Sequence, residues 1–147
     1  MTGGEPEPYR SADAGEVAEL WYRSWLSAGS PRCTDAVRVA AFERRLRDES
    51  WTISIVREGP SIIAFLALDR GRGILAQLFV APSHQSRGMG RQLLDFAKAQ
   101  LPGGFSLRTD EGNSGSRRFY ERHDVALQRV DDGRAYYCWR PVDPAER

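Results

Sequence analysis

The sequence has almost no net charge, few cysteines and no long apolar segment. Its 21 Lys and Arg residues and 20 Asp and Glu residues give a formal net charge of +1, so no overall field attracts nucleic acid or an acidic membrane surface. The two cysteines, Cys33 and Cys138, form no CxxC or metal-ligand pattern. No apolar segment approaches the length of a membrane span. We therefore expect a reduced, cytoplasmic protein with no metal, nucleic-acid partner or membrane partner.

The N-terminal residues MTGGEPEPYR have no basic head followed by an apolar run, so they do not resemble a secretory signal. Residues 1–8 are rich in Gly, Pro and Glu, and we predict a mobile tail there. The remaining residues, 9–147, are enough for a single domain built around one sizeable core.

Helical spacing dominates the first third of the chain. Apolar residues recur every three or four positions over residues 13–28, and Asp13 with Glu16 resembles a pair that caps the helix start. A second helix is expected after Thr34, and a short strand at 9–11 precedes both helices. The solvated face of the second helix is expected to hold Arg44, Arg45 and Arg47.

From residue 51 onward the hydrophobic period is mostly two, which is typical of strands. The predicted strands are 51–56, 61–69, 74–80, 105–109, 125–130 and 135–140, and the predicted helices are 88–101 and 113–122. The order is therefore β-α-α-β-β-β-α-β-α-β-β. This order predicts a mixed α/β fold (an α+β mixed sheet), with antiparallel hairpins in the middle and one crossover helix.

A glycine-rich loop leads into the helix at 88–101. The first turn of a helix leaves backbone N–H groups unpaired and carries a partial positive charge, so an anion is stabilised there. Gly88 and Gly90 let the backbone approach such an anion closely, and two arginines flank them. The pattern Gln85-x-x-Gly88-x-Gly90 is thus either a pyrophosphate cradle or only a glycine-rich helix start. It is neither a P-loop nor a dinucleotide fingerprint.

A second motif follows the next strand. The segment NSGSRRFYERHDV at 113–125 places Asn113 before a short helix that carries Phe119 and Tyr120. Together with LFVAPSHQSRGMGRQLL at 78–94, it resembles the acetyl-CoA motif and the Asn…Phe-Tyr motif of the GNAT superfamily of N-acetyltransferases. The element order is similar as well, and the resemblance covers nearly the whole chain. In place of the family's helix-ending glycine stands Asp124, which would have to adopt the left-handed conformation.

The resemblance implies a GNAT-like acyltransferase fold and an N-acetyltransferase that uses acetyl-CoA to acetylate a primary amine by direct attack on the thioester. The strand at 74–80 would carry a bulge and splay from the strand at 105–109. The acetyl-pantetheine arm would lie in that gap, and Asn113 would contact it or hold the loop. The implied cofactor-binding residues are Leu78, Phe79, Val80, Gln85, Ser86, Arg87, Gly88, Met89, Gly90, Arg91, Asn113, Phe119 and Tyr120.

The resemblance also implies two catalytic groups. A backbone N–H near Val80 would stabilise the oxyanion, and Tyr120 would protonate the departing sulfur, although it could instead be only a core aromatic residue. Many relatives place a glutamate on the strand that corresponds to 74–80, where this chain has Ala76 and Gln77. The base could therefore be a bound water, solution deprotonation of the amine, or one of Glu111, Asp110, Asp69 and His84.

The missing glutamate leaves a second function open, a non-catalytic CoA-binding or partner-binding module on the same fold. The acceptor of an enzyme could be a small-molecule or a peptide amine. Tyr22 and residues 28–34 could line the acceptor pocket, because the family uses its first two helices as a lid. A homodimer through the terminal hairpin is also compatible with the sequence.

Overall fold

The computed structural model describes residues 5–27, 36–47, 50–85 and 87–142. Its helices are α1 Ala14–Ser27, α2 Ala36–Arg45, α3 Met89–Gln100 and α4 Ser114–Arg122. Its strands are β1 Glu7–Pro8, β2 Trp51–Glu58, β3 Ser61–Asp69, β4 Ile74–Val80, β5 Phe105–Asp110, β6 Ala126–Asp131 and β7 Arg134–Trp139. The predicted element order is confirmed, with two short 3₁₀ turns added at Ser11–Asp13 and Pro82–His84.

The described strands form one seven-stranded sheet in the order β1-β2-β3-β4-β5-β7-β6. Strands β4 and β5 are parallel, because α3 crosses over between them, and the other neighbours are antiparallel. Strand β3 is buried along its whole length except for Ser61. Its sequence is accordingly apolar on both faces, as a central strand requires. The predicted mixed fold is confirmed.

Two hydrophobic cores lie on opposite faces of the sheet. On one face, Leu93 and Leu94 of α3 and Tyr120 of α4 pack against the strands. On the other face, Leu20 of α1 and Phe42 of α2 pack against β2 and β3. The protein is therefore a three-layer structure, with helices on both sides of β3.

The two ends of the sheet are covered unequally. Helix α1 packs on β3 and β4, and the face of β5 that points the same way remains accessible. There Ser106 and Arg108 are exposed, whereas Phe105 and Leu107 on the α3 side are buried. All six residues of β6 are exposed. We call β1 to β4 the closed half and β5, β7 and β6 the open half.

The strand predicted at 9–11 is wrong, because the first strand is Glu7–Pro8. Its pairing with β2 begins inside the segment that we predicted as a tail. The guanidinium of Arg57 binds Glu7 at 2.8 Å and Asp13 at 2.7 Å. These ion pairs bridge residues far apart in sequence, and they fix the N-terminal segment against β2.

The predicted capping pair at the start of the first helix is also wrong. The carboxylate of Asp13 accepts the N–H of Arg10 at 3.0 Å within the 3₁₀ turn. The carboxylate of Glu16 accepts the N–H of Ile62 at 2.7 Å, so it connects α1 to β3 instead of closing a cap.

The β2–β3 and β6–β7 connections show where backbone freedom is needed. Gly59 has φ +60, and Asp132 and Gly133 both have positive φ in the turn between β6 and β7. The predictions for Cys33, Thr34 and residues 28–34 fall outside the described residues. In the part of the chain that the structure describes, no helix is long and apolar enough to cross a membrane.

Candidate active site

Strands β4 and β5 pair at one end and then diverge. Their register contains a single pair, Ile74 with Ser106, and the N–H of Ser106 donates to the carbonyl of Gly73 at 3.0 Å. Ala76 is the extra residue of a β-bulge, since Ala67 of β3 lies opposite Gln77 and the next residue of β3 lies opposite Leu75. The bulge and the splayed strands implied by the resemblance are therefore present. A cleft of about 1520 Å³ opens beside them.

The end of β4 directs alternate backbone groups into this gap. The N–H of Ala81 donates to Ile63 of β3 at 2.7 Å. Because every second residue of a strand turns its backbone groups to the same neighbour, those of Leu78 and Val80 point toward β5. The carbonyl of Val80 accepts the side-chain amide of Gln85 at 3.1 Å. The N–H of Val80 and both backbone groups of Leu78 therefore remain directed at the gap.

Phe79 and Gln85 also make contacts within the protein. The backbone of Phe79 is directed to β3, and its ring stacks on Phe65 with a centroid separation of 5.6 Å. Gln85 ties the loop to the end of β4 through its bond to Val80. Both residues line the cleft, and their contact with a cofactor stays a prediction.

The glycine-rich loop presents the N-terminus of α3 to the same cleft. Gly88 is the N-cap residue, with φ +81 and no side-chain capping bond. The first helical bond runs from the N–H of Gln92 to the carbonyl of Gly88 at 3.0 Å. The N–H groups of Met89, Gly90 and Arg91 consequently have no acceptor within the helix. These are the groups that the sequence predicts to bind an anion, and Ser86 lies outside the described residues.

Gly90 is needed for packing. A Cβ placed on Gly90 would lie 3.1 Å from the Phe119 ring. Glycine therefore allows the start of α3 to rest on the ring that α4 supplies. Phe119 supports the loop through this contact and also lines the cleft, and its contact with a cofactor stays a prediction.

Asn113 begins α4. Its side-chain oxygen accepts the N–H of Ser116 at 3.1 Å, which is a standard N-cap bond. Of the two predicted roles, this bond supports holding the loop. Asn113 also lines the cleft.

Helix α4 is attached to β7 by a side-chain network. The hydroxyl of Tyr137 donates to Glu121 at 2.6 Å and accepts from Arg117 at 3.1 Å. At the end of the helix, Asp124 has φ +67, which confirms the left-handed conformation predicted for it. The N–H of Val125 then bonds the carbonyl of Tyr120 at 3.0 Å. These contacts fix the orientation of α4 over the cleft.

Tyr120 projects from α4 into the buried part of the cleft and is only 7% exposed. Its ring packs edge-on against Phe119 at 5.2 Å. No described residue forms a hydrogen bond with its hydroxyl. Burial raises the pKa of Tyr120 well above its ordinary value, so the phenol stays protonated at neutral pH. The cleft thus combines unpaired amides, a forked sheet and a protonated phenol.

The model of the acetyltransferase (GNAT) family matches residues 15–124. The chain belongs to the GNAT family of acetyltransferases. A search of curated proteins found no match.

Solved structures share the GNAT fold. PaiA N-acetyltransferase from Thermoplasma acidophilum, in complex with coenzyme A, aligns with a TM-score of 0.80 and 15% identity over 96% of this chain and 100% of that chain. An acetyltransferase from Thermus thermophilus aligns with a TM-score of 0.78 and 18% identity over 96% of this chain and 98% of that chain. YncA from Salmonella typhimurium, solved with its cofactor acetyl-CoA, aligns with a TM-score of 0.67 and 17% identity over 92% of each chain.

The four side chains that could act as base in a GNAT enzyme separate into two groups. Asp69 and Asp110 line the cleft, and Glu111 and His84 do not. His84 instead forms a 3.1 Å contact with Glu58 at the end of β2. Asp69 is 7% exposed, and its carboxylate accepts the N–H of Arg72 at 3.1 Å. Among the described residues, no group of three potential metal ligands occurs.

The wall formed by the first two helices contains aromatic residues that the sequence analysis did not assign to the site. Trp21 stacks parallel to Phe42 with a centroid separation of 4.2 Å, and Phe42 lies 6.1 Å from Trp51. Arg45 lies 4.3 Å above the Trp51 ring, so this exposed side chain covers an aromatic surface at the edge of the cleft. Tyr22 does not line the cleft. The sequence signal that could have indicated this wall is the presence of aromatic residues on two successive amphipathic helices.

Proposed function

We propose that this GNAT protein is an acetyl-CoA-dependent N-acetyltransferase that moves an acetyl group to a primary amine by direct attack on the thioester. The observation that carries the proposal is the gap between β4 and β5, which leads from the N-terminus of α3 to the hydroxyl of Tyr120. The fold shared with PaiA bound to coenzyme A, and with YncA bound to acetyl-CoA, supports the same ligand.

The residues of the cleft fit acetyl-CoA. The amides of Met89, Gly90 and Arg91 suit a pyrophosphate, because they are unpaired within the helix and at its positive end. The backbone groups of Leu78 suit an extended arm that completes the missing ladder. When bound, acetyl-CoA supplies an activated carbonyl and a thiol leaving group.

The N–H of Val80 suits stabilisation of the oxyanion. It points toward the gap at the end of β4, and the bond from Gln85 to the Val80 carbonyl keeps this segment in place. A well-placed oxyanion donor lowers the barrier by about 2.7–4 kcal/mol.

Tyr120 suits hydrogen-bond donation to the departing sulfur. Its pKa is raised by burial, whereas a cysteine thiol ordinarily has a pKa of about 8.5. Complete transfer of the phenolic proton to a thiolate would therefore be unfavourable. The phenol can instead donate a hydrogen bond while the proton that ends on sulfur is drawn from the amine through Tyr120 or water. An acceptor that enters as an ammonium first loses one proton to water or to one of the cleft carboxylates, Asp69 and Asp110. The proton that ends on sulfur is the second one, which the nitrogen loses after its attack on the thioester.

The test combines binding and turnover. Calorimetric titration should detect micromolar acetyl-CoA binding, and a panel of primary amines should produce free thiol. Tyr120→Phe should bind acetyl-CoA normally but react about 10²-fold more slowly, within the usual range of acid–base contributions. Tyr22→Phe, outside the cleft, is the matched control and should retain full activity. Absence of acetyl-CoA binding would overturn the proposal.

A second candidate is a non-catalytic CoA-binding module, favoured by the absence of any carboxylate among the β4 residues Ile74–Val80. That function predicts acetyl-CoA binding with no thiol release from any amine. Under it, Tyr120→Phe would change neither measurement.

A further inference from the structure

We propose that the acceptor amine carries a carboxylate, as an amino acid does, and that Arg108 and Arg129 bind this carboxylate on the exposed face of the open half. The inference rests on the proposed acetyl transfer and names the acceptor class for the same cleft.

The two arginines lie in one row across three strands. Arg108 of β5 is opposite Tyr136 of β7, and Tyr136 is opposite Arg129 of β6. The neighbours of Tyr136 in β7, Ala135 and Tyr137, are buried in the core on the α3 side. The row therefore lies on the other face, where the cleft is, and all three residues line it.

A β-bulge in β6 puts Arg129 in this row. Leu127 is opposite Tyr137 and Arg129 is opposite Tyr136, so Gln128 is the extra residue. The guanidinium of Arg129 lies 4.1 Å over the Tyr136 ring. Stacking on the ring restricts the side chain and leaves its N–H groups available at the edges.

Arg108 and Arg129 have no anionic partner among the described residues. Neither forms a hydrogen bond or an ion pair with a described side chain. Other arginines show the contrast, since Arg57 binds two carboxylates and Arg117 binds Tyr137 and a backbone carbonyl. Two guanidiniums, one on each strand that flanks Tyr136, form a site suited to a carboxylate.

The neighbouring rows do not supply the same charge. Arg134 lies between Asp110 and Asp131 in the register, so that row has one cationic and two anionic side chains. The positive charge is therefore concentrated on the row that contains Tyr136. A polyamine would find repulsion there, whereas an anionic group would find two donors.

The row reaches the gap between β4 and β5 at Arg108. Arg108 is two residues beyond Ser106, the last residue of β5 that pairs with β4. It thus stands on the strand that borders the gap, level with the bulge of β4. Asp69 lies in the same cleft with a buried carboxylate. A cleft with a cationic row and a separate carboxylate suits a zwitterionic acceptor.

The experiment compares matched acceptors on the full-length protein. The twenty common amino acids, β-alanine and γ-aminobutyrate are assayed beside their amides and beside spermidine. We expect at least one acid to have a KM about tenfold or more below that of its amide, as for a charge-assisted contact. Arg108→Gln and Arg129→Gln should each raise the KM of that acid about tenfold and leave acetyl-CoA affinity and the amide KM unchanged. Arg44→Gln, on the exposed surface of α2 outside the cleft, should change neither constant.

A second measurement does not depend on turnover. Binding of the same acids and amides to the protein loaded with coenzyme A is measured by calorimetry. Weaker binding of the acids in the two arginine variants supports the inference even if the chemical step fails. Any one of four results would overturn the inference. They are equal KM and equal binding for acids and amides, a preference for spermidine, binding of no acid, and a KM and an affinity for the acid that stay unchanged in Arg108→Gln. Loss of the proposed function would appear separately, as absent acetyl-CoA binding or absent thiol release.

Discussion

The closed and open halves of the sheet belong to one hydrogen-bonded surface but meet solvent differently. In the closed half, eight of the nine residues of β3 are buried, between α1 on one face and α3 on the other. In the open half, β6 is exposed along its whole length, and β5 alternates buried and exposed residues in its first four positions. The sequences reflect this difference, since IIAFLAL at 62–68 is apolar throughout and FSLR alternates.

This difference separates stability from recognition. The central residues of a strand buried on both faces have to be apolar, so they can add core contacts but cannot present charge to a ligand. In β3, only the terminal Asp69 lines the cleft. A strand with one accessible face can carry Arg108 beside buried Leu107. The candidate site lies between the halves, where β4 supplies backbone groups and the open half supplies charged side chains.

The largest expected effect is Phe65→Ala in the closed half. Phe65 is fully buried and contacts the rings of Phe42 and Phe79. The substitution should lower the free energy of unfolding by about 3–5 kcal/mol, because it leaves a cavity in a packed core. Chemical denaturation measures the loss, and a loss below about 1 kcal/mol would show that this half is not the stable one.

Gly88→Ala should act at the junction of the two halves. Gly88 has φ +81, and its added Cβ would project into open space at the cleft. We expect about 1 kcal/mol of strain and an approximately tenfold or greater loss of acetyl-CoA affinity, equivalent to about 1.4 kcal/mol. Calorimetry measures the affinity.

Gly59→Ala is the matched control for backbone strain. Gly59 has φ +60 and no neighbour within 4 Å of an added Cβ, and it lies in the β2–β3 turn. It should lose similar stability and retain acetyl-CoA affinity. An equal loss of acetyl-CoA affinity in both variants would show that the loop at Gly88 has no specific role in binding the anion.

Asp13→Asn should produce a smaller, pH-dependent loss in the closed half. Burial would raise the pKa of Asp13, but hydrogen bonds and charge from Arg57, with the Arg10 N–H, outweigh it and lower the pKa. The ionised carboxyl therefore stabilises the fold above its unfolded pKa of about 3.9, and this contribution is lost as pH falls through the lower folded value. The stability difference from the native protein should be present at pH 7 and shrink below about pH 4. A difference that is constant from pH 7 to pH 3 would contradict this assignment.

The smallest expected effect is Val130→Thr in the open half. Val130 lies on the edge strand and is 42% exposed. Its free energy of unfolding should change by no more than about 0.5 kcal/mol. A loss comparable to that of Phe65→Ala would show that another surface covers β6 in solution, as the homodimer expected from the sequence would do.

The sequence predicted the closed half better than the candidate site. The limits of β3 and β4 were predicted correctly, because turn residues flank two strongly apolar runs. The first strand was placed wrongly, since its position depends on ion pairs between Arg57 and residues far away in sequence. Periodicity alone contains no information about such pairs.

The recognition features of the site depend on cross-strand register. The uncapped start of α3 was predictable because Gly88 and Gly90 are local signals. The row of Arg108, Tyr136 and Arg129 was not, because it requires the strand order and a bulge at Gln128. The left-handed conformation of Asp124 was predictable only through the resemblance, because Asp124 stands where the family ends this helix with glycine.

The single Ile74–Ser106 pair between β4 and β5 has a consequence for how the molecule fluctuates. A sheet with so few main-chain bonds across one boundary can separate there at a smaller cost in hydrogen bonds than at its other boundaries. Amide hydrogens of Leu78 and Arg108, which face this boundary, would then exchange with solvent sooner than those of β3. A ligand bonded to both strands would slow that exchange on both sides at once.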